Sequence, residues 1–324
     1  MITRIYRPTP HNLKLLANRL KHGRLVALPT ETVYGLAADA LNVKACKAIF
    51  TAKDRPSNDP LIVHVRTKAE AKKLTVWNDV AEKLAHKFWP GPLTLVLPKR
   101  GIVPEIVTSG MPSVAVRIPA HPIFRQILEL CGRPLAAPSA NPFSYISPTT
   151  AQHVKDSLDG RIEAIIDGGA CQVGLESTIV DLRYPEKPQI LRPGGTLESD
   201  LTACIGSLRS KPRFKPPTQI TALAPGQQSK HYSPKTPLFL HHTLPEPLND
   251  EVAHVHFAKD EKCAGRNRFY LTESGDGAQA ARELFKLLRN LDQGSWKEIH
   301  LELPPPESAW YSGLYDRMLR ASTR

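Results

Sequence analysis

The sequence predicts an α/β protein in two parts: a larger unit with a mixed, twisted sheet over residues 1–210, and a smaller α/β unit over 237–324. Three observations carry this expectation. Helical and strand-like apolar spacings alternate through the first 210 residues. The strand-like runs are apolar throughout, as in strands covered on both faces. Eight prolines then fall between Pro212 and Pro247 with little periodicity, marking 211–236 as a semi-rigid linker.

In order along the chain, Leu13, Leu16, Ala17 and Leu20 recur at helical spacing behind Asn12, read as the N-cap. Arg24-Leu25-Val26-Ala27-Leu28 reads as a strand that Pro29 ends. Val43, Cys46, Ile49 and Phe50 form the next helical face, 61–65 a second strand, and Val80, Leu84 and Phe88 a further helix. Strand-like runs follow over 93–97, 114–118, 163–167 and 177–182. Past the linker, 237–242, 252–257, 269–271 and 299–303 read as strands, and 278–291 and 316–322 as helices. This βα pattern fits a compact, three-layer, Rossmann-like module. No internal repeat is present.

The 324 residues suffice for two cores, and 41% hydrophobic with 23% charged residues is an ordinary globular balance. No apolar run reaches the roughly 18 residues of a membrane span, and the start lacks the apolar region of a signal peptide. Cys46, Cys131, Cys171, Cys204 and Cys263 are scattered, with no C-x-x-C pair. Neither a zinc cluster nor a disulfide framework is expected, which suits a cytoplasmic protein. The net charge of +12 favours polyanionic or phosphorylated partners.

The common nucleotide, zinc-protease and serine-hydrolase motifs are missing. Polar residues instead collect where strands end. Pro29-Thr30-Glu31-Thr32-Val33-Tyr34-Gly35-Leu36 follows a strand, at the strand ends where α/β sheets bind ligands, yet Thr-Glu-Thr also reads as a helix N-cap. Lys53 and Arg55, with Ser57 and Asn58 after them, suit a phosphate chain or simply a helix C-terminus. His64 in an aliphatic strand reads first as a packed histidine. Arg117, flanked by apolar residues, needs an anion, from the protein or from a substrate. Pro138-Ser139-Ala140-Asn141-Pro142, with Ser144 and Ser147, is a small-residue loop able to bring backbone N–H groups close to an anion, or a plain turn. Ser177 and Arg192 add a hydroxyl and another strand-end cation. Lys230-His231-Tyr232-Ser233-Pro234 is an aromatic, basic cluster open to reading as a flap or a tether. His241-His242 and His254-x-His256 are read as strand histidines, not metal ligands.

Taken together, these segments resemble the YrdC-like threonylcarbamoyl-AMP synthase family in its long two-domain form. The matching strings are 29–38, 53–65, 89–95, 114–122, 136–141, 176–179, 191–194, and 224–226 with 230–234. The resemblance implies a YrdC-like catalytic domain and synthesis of threonylcarbamoyl-AMP and pyrophosphate from L-threonine, bicarbonate or CO2, and ATP. The product serves the modification of the adenosine beside the anticodon in tRNAs reading codons that start with A. Thr32, His64, Arg117, Ala137 and Ser177 would hold threonine, with Arg117 on its carboxylate. Arg55, Ser113, Ser139, Asn141, Ser147, Arg192 and Tyr232 would hold ATP, with Asp59 where many relatives carry Asn or Lys. Lys53 and Arg55 would be the catalytic cations, and Tyr232 would make the linker a lid. Magnesium would come with ATP and need no metal site of the protein. Weak tRNA binding to the basic surface and a downstream threonylcarbamoyl transferase complex complete the implied partners.

Two other readings compete with it. An RNA-binding protein would explain the charge, but no aromatic-interleaved basic module is present. Hydrogenase-maturation carbamoyl transferases contain a similar domain, but carry an acylphosphatase-like region and zinc-finger cysteines that this sequence lacks.

Overall fold

A computed structural model describes residues 1–210, 231–246, 250–260 and 265–323. Most of the linker, with Ala224-Pro225-Gly226 and Lys230, lies outside the described residues, as does Cys263. The chain opens with β1 (Arg4–Tyr6), α1 (Pro10–Lys21), β2 (Val26–Leu28), β3 (Gly35–Asp39), α2 (Val43–Lys53) and β4 (Ile62–His64). It continues through α3 (Lys68–Leu74), α4 (Asp79–Phe88), β5 (Leu93–Pro98), α5 (Glu105–Thr108), β6 (Ser113–Arg117), α6 (Pro122–Cys131) and β7 (Leu135–Ala136). Then come α7 (Ala151–Leu158), β8 (Ala164–Ile166), β9 (Thr178–Asp181), β10 (Gln189–Arg192), α8 (Glu198–Ile205) and β11 (Arg209–Ser210). These eleven strands form one mixed sheet in the order β1-β8-β2-β3-β7-β4-β6-β5-β9-β10-β11.

Alternation along the strands fixes what each face carries. Ala27, Val63, Val116, Val180 and Ile190 point into the main core, which α2, α4 and α7 help cover. On the opposite face Val26 and Leu28 pack against α1 and α6. Further along that second face, only a small apolar patch of Ile62, Val96, Ala115, Ile179 and Leu191 forms. His64 and Arg117 lie two residues from Ile62 and Ala115, so they share this thinly covered face, paired in register across β4 and β6. This is where the site sits.

Beyond the linker, β12 (Leu238–His241), β13 (Val252–Ala258), β14 (Arg268–Thr272), α9 (Gly277–Asp292), β15 (Glu298–Glu302) and α10 (Tyr311–Ala321) build a second unit. Its four strands are all parallel, ordered β12-β15-β13-β14. Ala253, Val255, Phe257, Ile299 and Leu301 share a core with α9 and α10, and that core takes in Val33, Ile146 and Leu175 from the loops of the first unit and Tyr232 from the end of the linker.

Two local readings are corrected. The cap of α1 is Thr9, whose hydroxyl accepts from the Asn12 backbone N–H, because Pro10 starts the helix where a missing N–H costs nothing. The Thr-Glu-Thr segment precedes no helix. It turns the chain from β2 into the antiparallel β3, so the N-cap reading fails. β1, β7 and β11 escaped the apolar-run criterion because they hold two or three residues, and β3 and β10 because Gly-Leu-Ala-Ala-Asp and Gln-Ile-Leu-Arg carry no continuous large apolar run.

Candidate active site

The 29–35 turn is shaped by Thr30, whose hydroxyl accepts from the backbone N–H groups of Thr32 and Val33 and donates to the carbonyl of Val33. Its backbone is pinned to the 138–148 loop: Tyr34 donates to Pro148, Leu36 to Pro138, and Ala140 to Tyr34. Together with the ends of β4 and β6 these loops enclose a pocket. It is lined by Thr32, Arg55, His64, Arg117, Ala137, Ser139, Ser177, Arg192 and Tyr232, all singled out in the sequence. Thr30, Val33, Gly35, Ile62, Pro138, Glu176 and His231 also line it; they fall within the segments flagged in the sequence, though none was given a ligand of its own.

Arg117 is buried at 3% exposure and is held on three sides. It is 2.7 Å from Glu31 Oε1, donates from both terminal nitrogens to Thr32 Oγ1 at 3.1 Å, and donates from Nε to the Gly91 carbonyl at 3.2 Å. The anion its isolation demanded is therefore available inside the protein. Beside it, burial and then the Arg117 charge push the His64 imidazole down to about 3, so it is neutral at physiological pH. Ser177 Oγ bonds to Thr94 Oγ1 and accepts from Arg192, which also grips the Ser177 carbonyl.

The other end of the pocket is cationic. Arg55, itself buried, pairs with Asp59 at 2.9 Å and donates to the carbonyls of Asp59 and Pro60. Asp59 thus serves Arg55. Lys53 lies outside the lining. Its Nζ donates to the carbonyls of Ser139 and Asn141 and so fixes the small-residue loop, while burial first and the Arg55 charge second lower its pKa well below the ordinary lysine value. Asn141, Ser147 and Ser113 are buried but do not line the pocket. Asn141 braces the loop through Pro142 and Tyr145, Ser147 donates to Glu176, and the Ser113 hydroxyl has no partner among the described residues.

Tyr232 closes one side. It is fully buried, in the left-handed region at φ 64°, stacked 5.4 Å from Phe285 of α9 and 4.0 Å from the His231 ring. Ser233 ties the segment down by donating to the Ser144 carbonyl. Among the described residues, His64 Nδ1, Asn141 Oδ1, His231 Nδ1 and Tyr232 Oη are buried polar atoms at the site without a hydrogen-bond partner. Such atoms are costly unless something binds them.

A family model described as "Telomere recombination" matches residues 18–194, and one described as "Threonylcarbamoyl-AMP synthase, C-terminal domain" matches 197–323. Threonylcarbamoyl-AMP synthase of Pyrococcus abyssi is 41% identical over 87% of this chain and 85% of its own length. The chain belongs to the threonylcarbamoyl-AMP synthase family. A second member, from Bacillus subtilis, is 35% identical over 94% of this chain and 90% of its own. The crystal structure of P. abyssi Sua5 complexed with L-threonine superposes with a TM-score of 0.90 at 36% identity, covering 99% of this synthase and 98% of that chain. Membership makes the protein an enzyme of nucleotidyl transfer, a threonylcarbamoyl-AMP synthase of α/β fold with two units. Among the described residues of this synthase, no helix is long and apolar enough to cross a membrane.

Glu31 lies within the flagged 29–36 segment and Glu176 within the 176–179 string, but the sequence gave neither its arginine partner. For Arg289 of α9, which donates to the Ser147 carbonyl, and Arg317 of α10, which pairs with Glu176, the sequence offered no signal.

Proposed function

We propose that this pocket joins L-threonine, bicarbonate or CO2, and ATP into threonylcarbamoyl-AMP, with Thr32, His64, Arg117, Ala137 and Ser177 on threonine. The observation that carries the reading is Arg117: a buried guanidinium on the thinly covered sheet face, beside a neutral imidazole, with further buried cations at the pocket's other end. An amino-acid carboxylate fits the first end and a phosphate chain the second. On the ATP side the reading places Arg55, Ser139, Arg192 and Tyr232 in the lining, with Ser113, Asn141, Ser147 and Asp59 supporting it. The division into a catalytic unit over 1–210, a linker and lid over 211–236 and a second unit over 237–324 belongs to the same proposal.

The chemistry follows from positioning and charge. Threonine's neutral amine adds to CO2 with release of a proton, or to bicarbonate with loss of water, to give the carbamate. A carbamate oxygen then attacks the α-phosphorus in line, and the bond to pyrophosphate breaks. Arg55 and Arg192 balance the charge that develops on the departing phosphates, and Lys53 keeps the 139–141 loop in place against them. The carboxylates at the site, Glu31, Asp59 and Glu176, are each paired with an arginine, so they suit no magnesium cage. Magnesium arrives on ATP as part of the substrate, where it neutralises phosphate charge. The product is unstable and passes to a downstream threonylcarbamoyl transferase complex acting on tRNA, in the cytoplasm, and the basic charge gives tRNA a weak direct affinity.

Pyrophosphate release from the purified protein, with ATP present and threonine or bicarbonate omitted in turn, tests the reading. Release that needs both co-substrates, and collapses in Arg117→Ala, is the expected result. Release without threonine would overturn the threonine assignment, and no release under any combination would overturn the whole.

A further inference from the structure

Two buried arginines of the second unit converge on one residue of the first, Ser147. From α10, Arg317 donates through Nε to Glu176 Oε2 at 2.8 Å and through Nη1 to the Pro193 carbonyl at 2.7 Å. Its guanidinium lies over the Tyr232 ring, 5.3 Å from the centroid. Glu176 passes the contact on, because its Oε1 accepts from Ser147 Oγ at 2.5 Å. From α9, Arg289 takes the backbone of the same stretch, donating to the carbonyls of Ile146, Ser147 and His153 and to Ser157 Oγ. Arg317 is 0% and Arg289 1% exposed.

We propose that Arg317 is a positioning residue for nucleotidyl transfer: by holding Glu176 it fixes Ser147 and the Tyr232 ring, so the ATP side of the pocket is complete only when the second unit is docked. This rests on the functional reading above. A buried ion pair adds little net stability over an apolar contact. What the planar guanidinium does supply is direction, since Nε and Nη1 face fixed acceptors on Glu176 and the Pro193 turn. Burial alone would raise the Glu176 pKa; Arg317 first, and Arg192 after it, hold the carboxyl below its usual range and therefore ionised. Without Arg317, the charge left to compensate Glu176 is Arg192, which is engaged on Ser177. Glu176 would turn toward it and draw Ser147 out of place, while Arg117 and Thr32 stay as they are.

The test uses the full-length protein as wild type, Arg317→Ala, Arg317→Lys, Glu176→Gln, the Arg317→Ala/Glu176→Gln double variant, and Arg282→Ala. Arg282 crosses the same interface, donating to the Gln172 carbonyl, but touches none of these groups. Each is melted thermally, titrated calorimetrically with a non-hydrolysable ATP analogue and with L-threonine, and assayed for pyrophosphate release. Arg317→Ala is expected to weaken analogue binding and raise KM for ATP about tenfold or more, with threonine affinity held within about twofold. Lysine should recover part of the loss. The loss from Arg317→Ala should shrink when Glu176 is already Gln, because no buried carboxylate is then stranded. Arg282→Ala should bind both ligands as wild type does. Equal losses for ATP and threonine, strict additivity in the double variant, or unchanged ATP parameters in Arg317→Ala would each overturn the proposal. If wild type bound the analogue yet released no pyrophosphate, the functional reading would fall, and the analogue titrations would still decide Arg317. A wild type that did not bind the analogue would overturn both.

Discussion

Replacing Arg117 by alanine should damage stability and threonine binding for separable reasons. In the intact protein, its guanidinium neutralises Glu31 at 2.7 Å, with Glu31 only 5% exposed. Removing one partner of a buried pair costs about 3–5 kcal/mol, because the other charge is left in a poor solvent. At about 2–4 °C per kcal/mol for a protein of this class, Tm should fall by roughly 6–20 °C. Binding has its own magnitude. A hydrogen bond to a charged group is worth about 1.5–3 kcal/mol, so threonine affinity should drop roughly 10- to 150-fold. The double variant Arg117→Ala/Glu31→Gln separates the two effects: it relieves the stranded carboxylate and regains most of the Tm, but supplies no cation for the ligand. Scanning calorimetry reads the first effect and isothermal titration with L-threonine the second. Threonine affinity unchanged in the single variant, or restored in the double, would refute the assignment of Arg117 to the substrate carboxylate. An unchanged Tm would refute the view that Glu31 depends on it.

His64 has a folded pKa of about 3 against about 6.5 unfolded. The unfolded chain therefore binds the extra proton in that window, and stability should fall as pH drops from about 6.5 toward 3. Denaturant unfolding across this range should show a shallower pH slope for His64→Gln than for wild type; equal slopes would contradict it. Tyr232 Oη has no partner among the described residues, so Tyr232→Phe should leave Tm nearly unchanged while raising KM for ATP, whereas Tyr232→Ala should lose about 3–5 kcal/mol in chemical denaturation. A methyl group on Gly194 would sit 2.2 Å from the Glu176 carbonyl oxygen and 2.8 Å from the Ser177 backbone. Gly194→Ala should accordingly cut pyrophosphate release at least about tenfold, by displacing the site backbone; wild-type rates would show that this loop yields freely. Chelation by EDTA should stop release and magnesium should restore it, with calorimetric threonine binding retained throughout.

Long, strongly periodic elements were legible in the sequence. The helix over 277–292 and the strand over 252–258 stand within a residue of their predicted bounds, because each carries its own apolar spacing. The cap of α1 was misplaced by three residues, since Thr9 and Asn12 are chemically equivalent candidates until Pro10 is seen to start the helix. β7, with two residues, and β11 owe their existence to neighbours in the sheet.

Composition and local spacing set the chemistry available: which cations, hydroxyls and aromatics the chain must place somewhere, and that Arg117 could not stand unpaired among valines. Its strings also carried the resemblance to the family. Which groups meet was decided only by tertiary structure. Glu31 is far from Arg117 along the chain, and Arg317 lies 141 residues from Glu176. Their pairing depends on strand order and on how α10 docks, neither of which leaves a local mark. Periodicity records which side of an element is buried, because burial acts residue by residue. Charge pairing across a core is a property of two distant positions at once, and it exists only after the backbone has brought them within about 3 Å.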